Sequence, residues 1–203
     1  MRISSQQTLR KGFSLVEVII TISIFSVLSL AVSSTIVLFY KSNEERVAQS
    51  AEVQSASRAL KSAVRDFREA TYADNGSFPI TEASAHEVTF YSDIDKDDSE
   101  ELVTYVLDGT NLMREVTNPT GNPPTYPGTP SETTLISEYV RNIAQSQSTF
   151  VYYNSDGDVI SGSDVAEIAS IQFQVIVNID PDAAPGSFKI SSRATLRNLK
   201  TNL

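Results

Sequence analysis

The spacing of apolar residues changes twice along this chain, and each change marks a different element. From Val18 to Tyr40 there are 23 consecutive uncharged, mostly apolar residues. As a helix rising about 1.5 Å per residue, that run matches a hydrocarbon layer about 30 Å thick. After Tyr40 the composition turns polar, while Ala48, Ala51, Ala56, Ala59, Leu60, Ala63, Val64, Phe67 and Ala70 recur at spacings of three and four. That rhythm predicts an amphipathic helix with a narrow, alanine-rich stripe. No Pro or Gly falls between Phe13 and Asn75, so one continuous helix is expected from about Ser14 to Tyr72, roughly 85 Å long. Residues 13–40 would be its transmembrane half and 41–72 its amphipathic half. "ADNGSFP", Ala73 to Pro79, breaks it.

Beyond the breaker the period shortens to two. "EVTFYSD" and "ELVTYVL" read as strands, and "DGT" at Asp108 to Thr110 turns the chain into "NLMREV" as a hairpin. "NPTGNPPTYPGTPS", Asn118 to Ser131, holds five prolines and is expected as a loop. "TLISEYVRNI" fits either a short helix or a strand with an adjoining turn. "STFVYYN" and the turn "SDGD" follow. In "SIQFQVIVNI", Ile171, Phe173, Val175, Val177 and Ile179 alternate with Gln172, Gln174, Ile176 and Asn178. A return at "DPDAAPG" leads to "SFKISSRATLRN", with Phe188, Ile190, Ala194 and Leu196 on one face. One-sided alternation implies one buried and one wet face, and the alanine stripe is the available cover. The expected fold is α+β, a long N-terminal helix packed on an antiparallel β-sheet formed by a β-rich domain over residues 73–203.

Charge adds direction. The formal net charge is −9, yet the first twelve residues carry Arg2, Arg10 and Lys11 and no acid. A basic leader favours a cytoplasmic N-terminus with the remainder outside. The acidic body repels phosphate backbones, so no nucleic-acid partner is expected. With no cysteine there is neither a disulfide framework nor a thiolate site.

The apolar segment itself admits several readings. A secretory signal peptide has a basic start, and "AVS" at Ala31 to Ser33 offers small residues for cleavage, but the apolar run continues through Phe39. A plain anchor also fits the composition, and a buried core helix is disfavoured by the length of the run. None of these explains Glu17, since a carboxylate in hydrocarbon costs roughly 2.5–3.5 kcal/mol on insertion scales.

"KGFSLVEVII" does explain it. This stretch resembles the processing site of type IV pilin-like proteins: a short basic leader ending in glycine, an aromatic residue, and glutamate at the fifth mature position. The resemblance implies that a prepilin peptidase removes leader 1–12 by cutting after Gly12 and methylates the new N-terminus at Phe13. Glu17 would then pair with the terminal ammonium of a neighbouring subunit, two charges each costly alone and cheaper together. "LDGTNLMREV" and "ATLRNL" further resemble the hairpin and terminal segment of minor pseudopilins of type II secretion, of the J or W kind. The implied partners are other pilin or pseudopilin subunits, an inner-membrane assembly platform and the membrane itself through residues 13–40. The implied location is a single-pass cytoplasmic (inner) membrane protein with an extracytoplasmic C-terminal domain. The alternative is a pilin-like surface adhesin or DNA-uptake receptor using the loop 118–131.

Catalytic chemistry is scarce. His86 is the single histidine and reads as solvated surface. Asp93, Asp95 and Asp97 in "SDIDKDDSEE" have the alternate spacing of a calcium loop, but Asp98 replaces the turn glycine and Thr104 the twelfth-position glutamate. A solvated acidic turn is the preferred reading, and "NSDGDV" is a hairpin turn. Tyr126, Tyr152 and Tyr153 read as sheet residues before a binding surface. No enzymatic activity and no cofactor or metal are expected.

Overall fold

A computed structural model describes residues 12–182 and 186–196; the basic leader as far as Lys11 and the "RNL" of the terminal segment lie outside them. Two compact units divide the chain, Met1–Glu45 and Arg46–Leu203. The helix α1, Leu15–Arg68, contributes to both and is 54 residues long.

In the first unit every described residue from Gly12 to Glu44 is exposed. Eighteen large apolar side chains between Phe13 and Tyr40 are exposed, and the most apolar stretch has none of its residues buried. Such a surface demands a cover of lipid or protein.

In the second unit the helix supplies the stripe that the spacing predicts, with a shift in where it starts. Ala56, Ala59, Leu60, Ala63, Val64, Phe67 and Ala70 are buried, whereas Ala48 and Ala51 are exposed and the buried residue beside them is Gln49. Gln49 is tolerated inside because both ends of its amide are matched: Nε2 donates to Val177 O at 3.0 Å and Oε1 accepts from Ile179 N at 3.0 Å. The helix stops at Arg68, short of the expected Tyr72. The N–H of Thr71 is taken by Tyr91 O at 3.0 Å, so the strand captures the donor that another helical turn would have used.

Two antiparallel sheets form, where the sequence suggested one. The five-stranded sheet follows chain order: β1 Ile80–Ala83, β2 Glu87–Ser92, β3 Glu101–Asp108, β4 Asn111–Thr117 and β5 Glu132–Ser137. Asp108 pairs with Asn111 across a two-residue turn whose Gly109 has φ +58°, a conformation glycine adopts freely. The proline-rich segment closes β4 onto β5, and "TLISEYVRNI" resolves into the end of β5 and a single bridge, Val140 to Val177. The second sheet runs β7–β6–β8–β9, built from β6 Phe150–Tyr153, β7 Val159–Ile160, β8 Ser170–Val177 and β9 Phe188–Thr195.

The one-sided alternation expected of β8 does not hold. Gln174 and Ile176 are buried too, because residues 139–149 take over beside β8 where β6 stops. Arg141 N donates to Ile176 O, and Asn142 Oδ1 accepts from Ile176 N. On β9 Ala194 is buried, as is Leu196 just past its end, but Phe188 is exposed at the strand's far end.

One core joins helix and sheets. The Phe67 ring of α1 meets Phe90 of the first sheet at 5.2 Å and Phe173 of the second at 5.9 Å, both edge-on, the favoured geometry for aromatic pairs. The sheets also touch directly, since a Cβ at Gly162 would overlap the carbonyl of Ala83.

Candidate functional site

The first helical turn is built by its own sequence. Ser14 precedes Leu15 as the cap, its Oγ accepting from Glu17 N at 3.2 Å, and Val18 N donates to Ser14 O at 3.2 Å. Ser14 and Glu17 therefore have the spacing of a capping box, and Glu17 is an acid in the first turn of a helix, where the dipole favours it. This second reason for a glutamate at that position was present in "SLVE" and is independent of any neighbour. Phe13 is 81% exposed, outside the helix. A Cβ added at Gly12 would meet nothing within 4 Å among the described residues. Among the described residues, nothing demands a glycine there.

Five hydroxyls within the apolar run are satisfied locally. Thr21, Ser23 and Ser26 each donate to the carbonyl four residues back, at 2.7–2.9 Å, as does Thr35 to Ala31; Ser34 donates to the same Ala31 carbonyl three residues back. Paired in this way they lower the cost of entering hydrocarbon, where an unmatched polar group has no water to turn to.

The acidic turn between β2 and β3 brings together Asp93, Asp95 and Glu101, with one carboxylate oxygen of each within 4.8 Å of the others. Asp97 is not in that group. Each carboxylate is already engaged by the turn's backbone: Asp93 accepts from Lys96 N, Asp95 from Asp97 N, and Glu101 from Ile94 N. Asp98 sits at φ +69°, so the aspartate adopts the left-handed conformation that a calcium loop gives to glycine. Thr104, in the twelfth position, lies in β3 and bonds Thr89 instead. Nearby, Asp74 accepts from Ser99 Oγ at 2.9 Å. Burial, followed by the neighbouring Asp74, pushes the Glu100 carboxyl up to about 7, while its hydrogen bond to Glu100 holds Asp74 below its ordinary value.

The remaining candidates serve the fold. His86 is half-buried rather than solvated, with Nδ1 3.0 Å from Thr149 Oγ1 where the two sheets meet. Tyr152 is buried and donates to Ser84 O, Tyr153 lies under Arg193 at 3.7 Å, and Tyr126 donates to Glu100 O.

The most highly charged buried site escaped the sequence pattern. Asp66, on the buried side of α1, is 2% exposed and pairs with Arg114 of β4 at 2.9 Å. Its Oδ2 also accepts from Tyr105 OH at 2.8 Å and Arg114 Nε at 3.0 Å. A carboxylate one place before Phe67 in an apolar stripe was the available signal.

Compared with known proteins, the chain matches the family model of the prokaryotic N-terminal methylation motif over residues 8–33. No curated protein matches it.

Proposed function

We propose, on the premise that a chain with the methylation motif and a long apolar helix behind it is type IV pilin-like, that this protein is a minor pilin or pseudopilin. It would be a subunit of a type IV pilus or type II secretion-like filament, acting in assembly or at the tip. Its part is structural. A prepilin peptidase cuts after Gly12 and methylates Phe13, and the segment 13–40 holds the chain in the membrane as a single pass, with the β-rich unit outside. The observation that carries this reading is the coincidence, within residues 8–33, of the motif with a helix whose apolar side chains are all uncovered.

Glycine at position 12 answers to an enzyme rather than to this fold, since nothing near it in the described chain would obstruct a side chain. Glu17 gains a second use on processing. Cleavage leaves an ammonium at Phe13, and in a low-dielectric assembly a carboxylate one turn in is the partner that offsets a neighbour's charge.

The test is the N-terminus of the chain extracted from membranes of cells with an active prepilin peptidase. It should begin at Phe13 carrying one methyl group, and Gly12→Trp should leave the leader attached. A mature start after Ser33 would indicate a secretory signal instead. An intact leader beside a correctly processed control pilin would refute the proposal.

A further inference from the structure

A cavity of about 760 Å³ opens between the last turns of α1 and the end of β9. Lys61, Arg65, Arg68 and Glu69 line one wall, and Ser192 and Leu196 the other. Three cations against one acid is unusual on a chain of net charge −9. Arg65 is partly engaged by Asp66 at 3.2 Å; Lys61 and Arg68 make no ion pair among the described residues. In the described sheet β9 has β8 as its one strand partner, so its outer backbone edge is also open to a ligand's N–H and C=O groups. Residues 197–203 carry Arg197 and Lys200 and no acid, which makes them a poor match in charge.

A carboxylate-rich, preordered counterpart exists on the same molecule. Asp95, Asp97 and Asp98 are exposed on the turn between β2 and β3. Asp95 and Asp97 each commit one oxygen to the turn's own backbone, so little ordering remains to be done on binding. We propose that the groove of Lys61, Arg65 and Arg68 seats the acidic turn Asp93–Glu101 of a second copy of this chain. The two surfaces are different patches, so the contact is heterologous, the kind that leaves one patch free on each copy and can propagate into a filament. This deepens the subunit reading above and rests on it.

The test uses the full chain in detergent, where the lack of cysteine makes engineered thiols unique. Lys61→Cys in one copy and Asp97→Cys in a differently tagged copy, treated with a short bis-maleimide, should give a mixed crosslink. Its yield should be about tenfold above that of Lys61→Cys with Val159→Cys and should fall in about 0.5 M salt. Arg68→Glu should abolish it, and Asp97→Lys in the partner copy should restore association to the Arg68→Glu chain. Calorimetry of each variant guards against unfolding. Equal yields with the Val159→Cys control would overturn the proposal. So would an Arg68→Glu chain that crosslinks normally but no longer binds vesicles of anionic phospholipid, which would assign the groove to a lipid headgroup. A chain that starts at Phe13 yet gives no mixed crosslink refutes the groove alone, and a crosslinking chain with its leader intact refutes the filament reading alone.

Discussion

Replacing Asp66 with asparagine keeps the shape of the side chain and removes its charge, leaving the Arg114 guanidinium facing a neutral amide. Breaking a buried pair by removing one partner typically costs about 3–5 kcal/mol. Asp66 is 2% exposed but Arg114 is 16% exposed, so water can partly resolvate the cation and the cost falls near the lower figure. The Tyr105 hydroxyl, on a side chain 1% exposed, can turn to the asparagine oxygen but loses a charged acceptor, which adds up to about 1 kcal/mol. The expected loss is about 3–4 kcal/mol, a large part of the 5–15 kcal/mol typical of a domain. At about 2–4 °C per kcal/mol for a unit of this size, the transition should drop by about 6–16 °C. Calorimetry of the full chain in detergent is the assay, since there is no tryptophan to report by fluorescence and a micelle leaves the apolar helix folded. Arg65→Ala provides the contrast: that side chain is 68% exposed and touches the same carboxylate, and exposed pairs contribute about 0–1 kcal/mol. The double variant with Arg114→Met should be less destabilised than the two singles combined, by about 1–3 kcal/mol. If Asp66→Asn costs no more than Arg65→Ala, the pair is not what fixes α1 on the first sheet.

Three further outcomes are expected. Glu17→Gln should still be cut after Gly12 and accumulate in membranes, while crosslinking to sibling subunits collapses; unchanged subunit contact would mean that its capping position in the first helical turn is its whole role. Glu100 holds its proton in the folded state up to about pH 7 from an ordinary value of 4.5, so the stability it contributes is complete below pH 4.5 and is lost as the pH rises through about 7. Glu100→Gln keeps a donor beside Asp74 and titrates nothing, so its melting temperature should rise relative to the parent between about pH 4.5 and about pH 7; a constant offset would sink this account. Millimolar calcium should leave the melting temperature where an equal ionic strength of sodium leaves it, because Asp97 stands outside the cluster of Asp93, Asp95 and Glu101 and Thr104, in the twelfth position, is held in β3. A site filled a hundredfold above its Kd would instead add about 2.7 kcal/mol.

What the sequence disclosed follows from which interactions are periodic. The apolar run and the alanine stripe from Ala56 to Ala70 are repeated signals, and the hairpin at Gly109 is written in local turn chemistry. The methylation motif is local too, and its match over residues 8–33 is foreshadowed by ten consecutive residues, Lys11 to Ile20. Pairings between distant residues left no such trace. Asp66 and Arg114 are 48 positions apart, and nothing in either neighbourhood announces the other. Gln49 sits between Ala48 and Ala51, the positions that the spacing picks out, and it is buried because of a strand end 128 residues away. The split into two sheets was equally hidden, since a strand's period tells which face is buried but not which neighbour it joins. Asp98 shows the reverse: the sequence has an aspartate where a tight turn favours glycine, and the backbone adopts the left-handed conformation regardless, at a cost that aspartate tolerates better than most residues.

The clasp between Gln49 and the end of β8 has a mechanical meaning for a protein held by its N-terminal segment. Within the β-rich unit, the first side-chain hydrogen bonds from α1 to the sheet end among the described residues are those of the Gln49 amide, to Val177 O and Ile179 N. The apolar stripe begins only at Ala56. Load would therefore rupture a small, reversible latch before it strips the helix from the sheets. The latch can re-form when tension falls, because both of its strand partners belong to backbone that neighbouring bonds hold in place. Gln49→Ala would turn that yielding joint into slack, with two turns of helix peeling at lower force while the core beyond Ala56 stays intact.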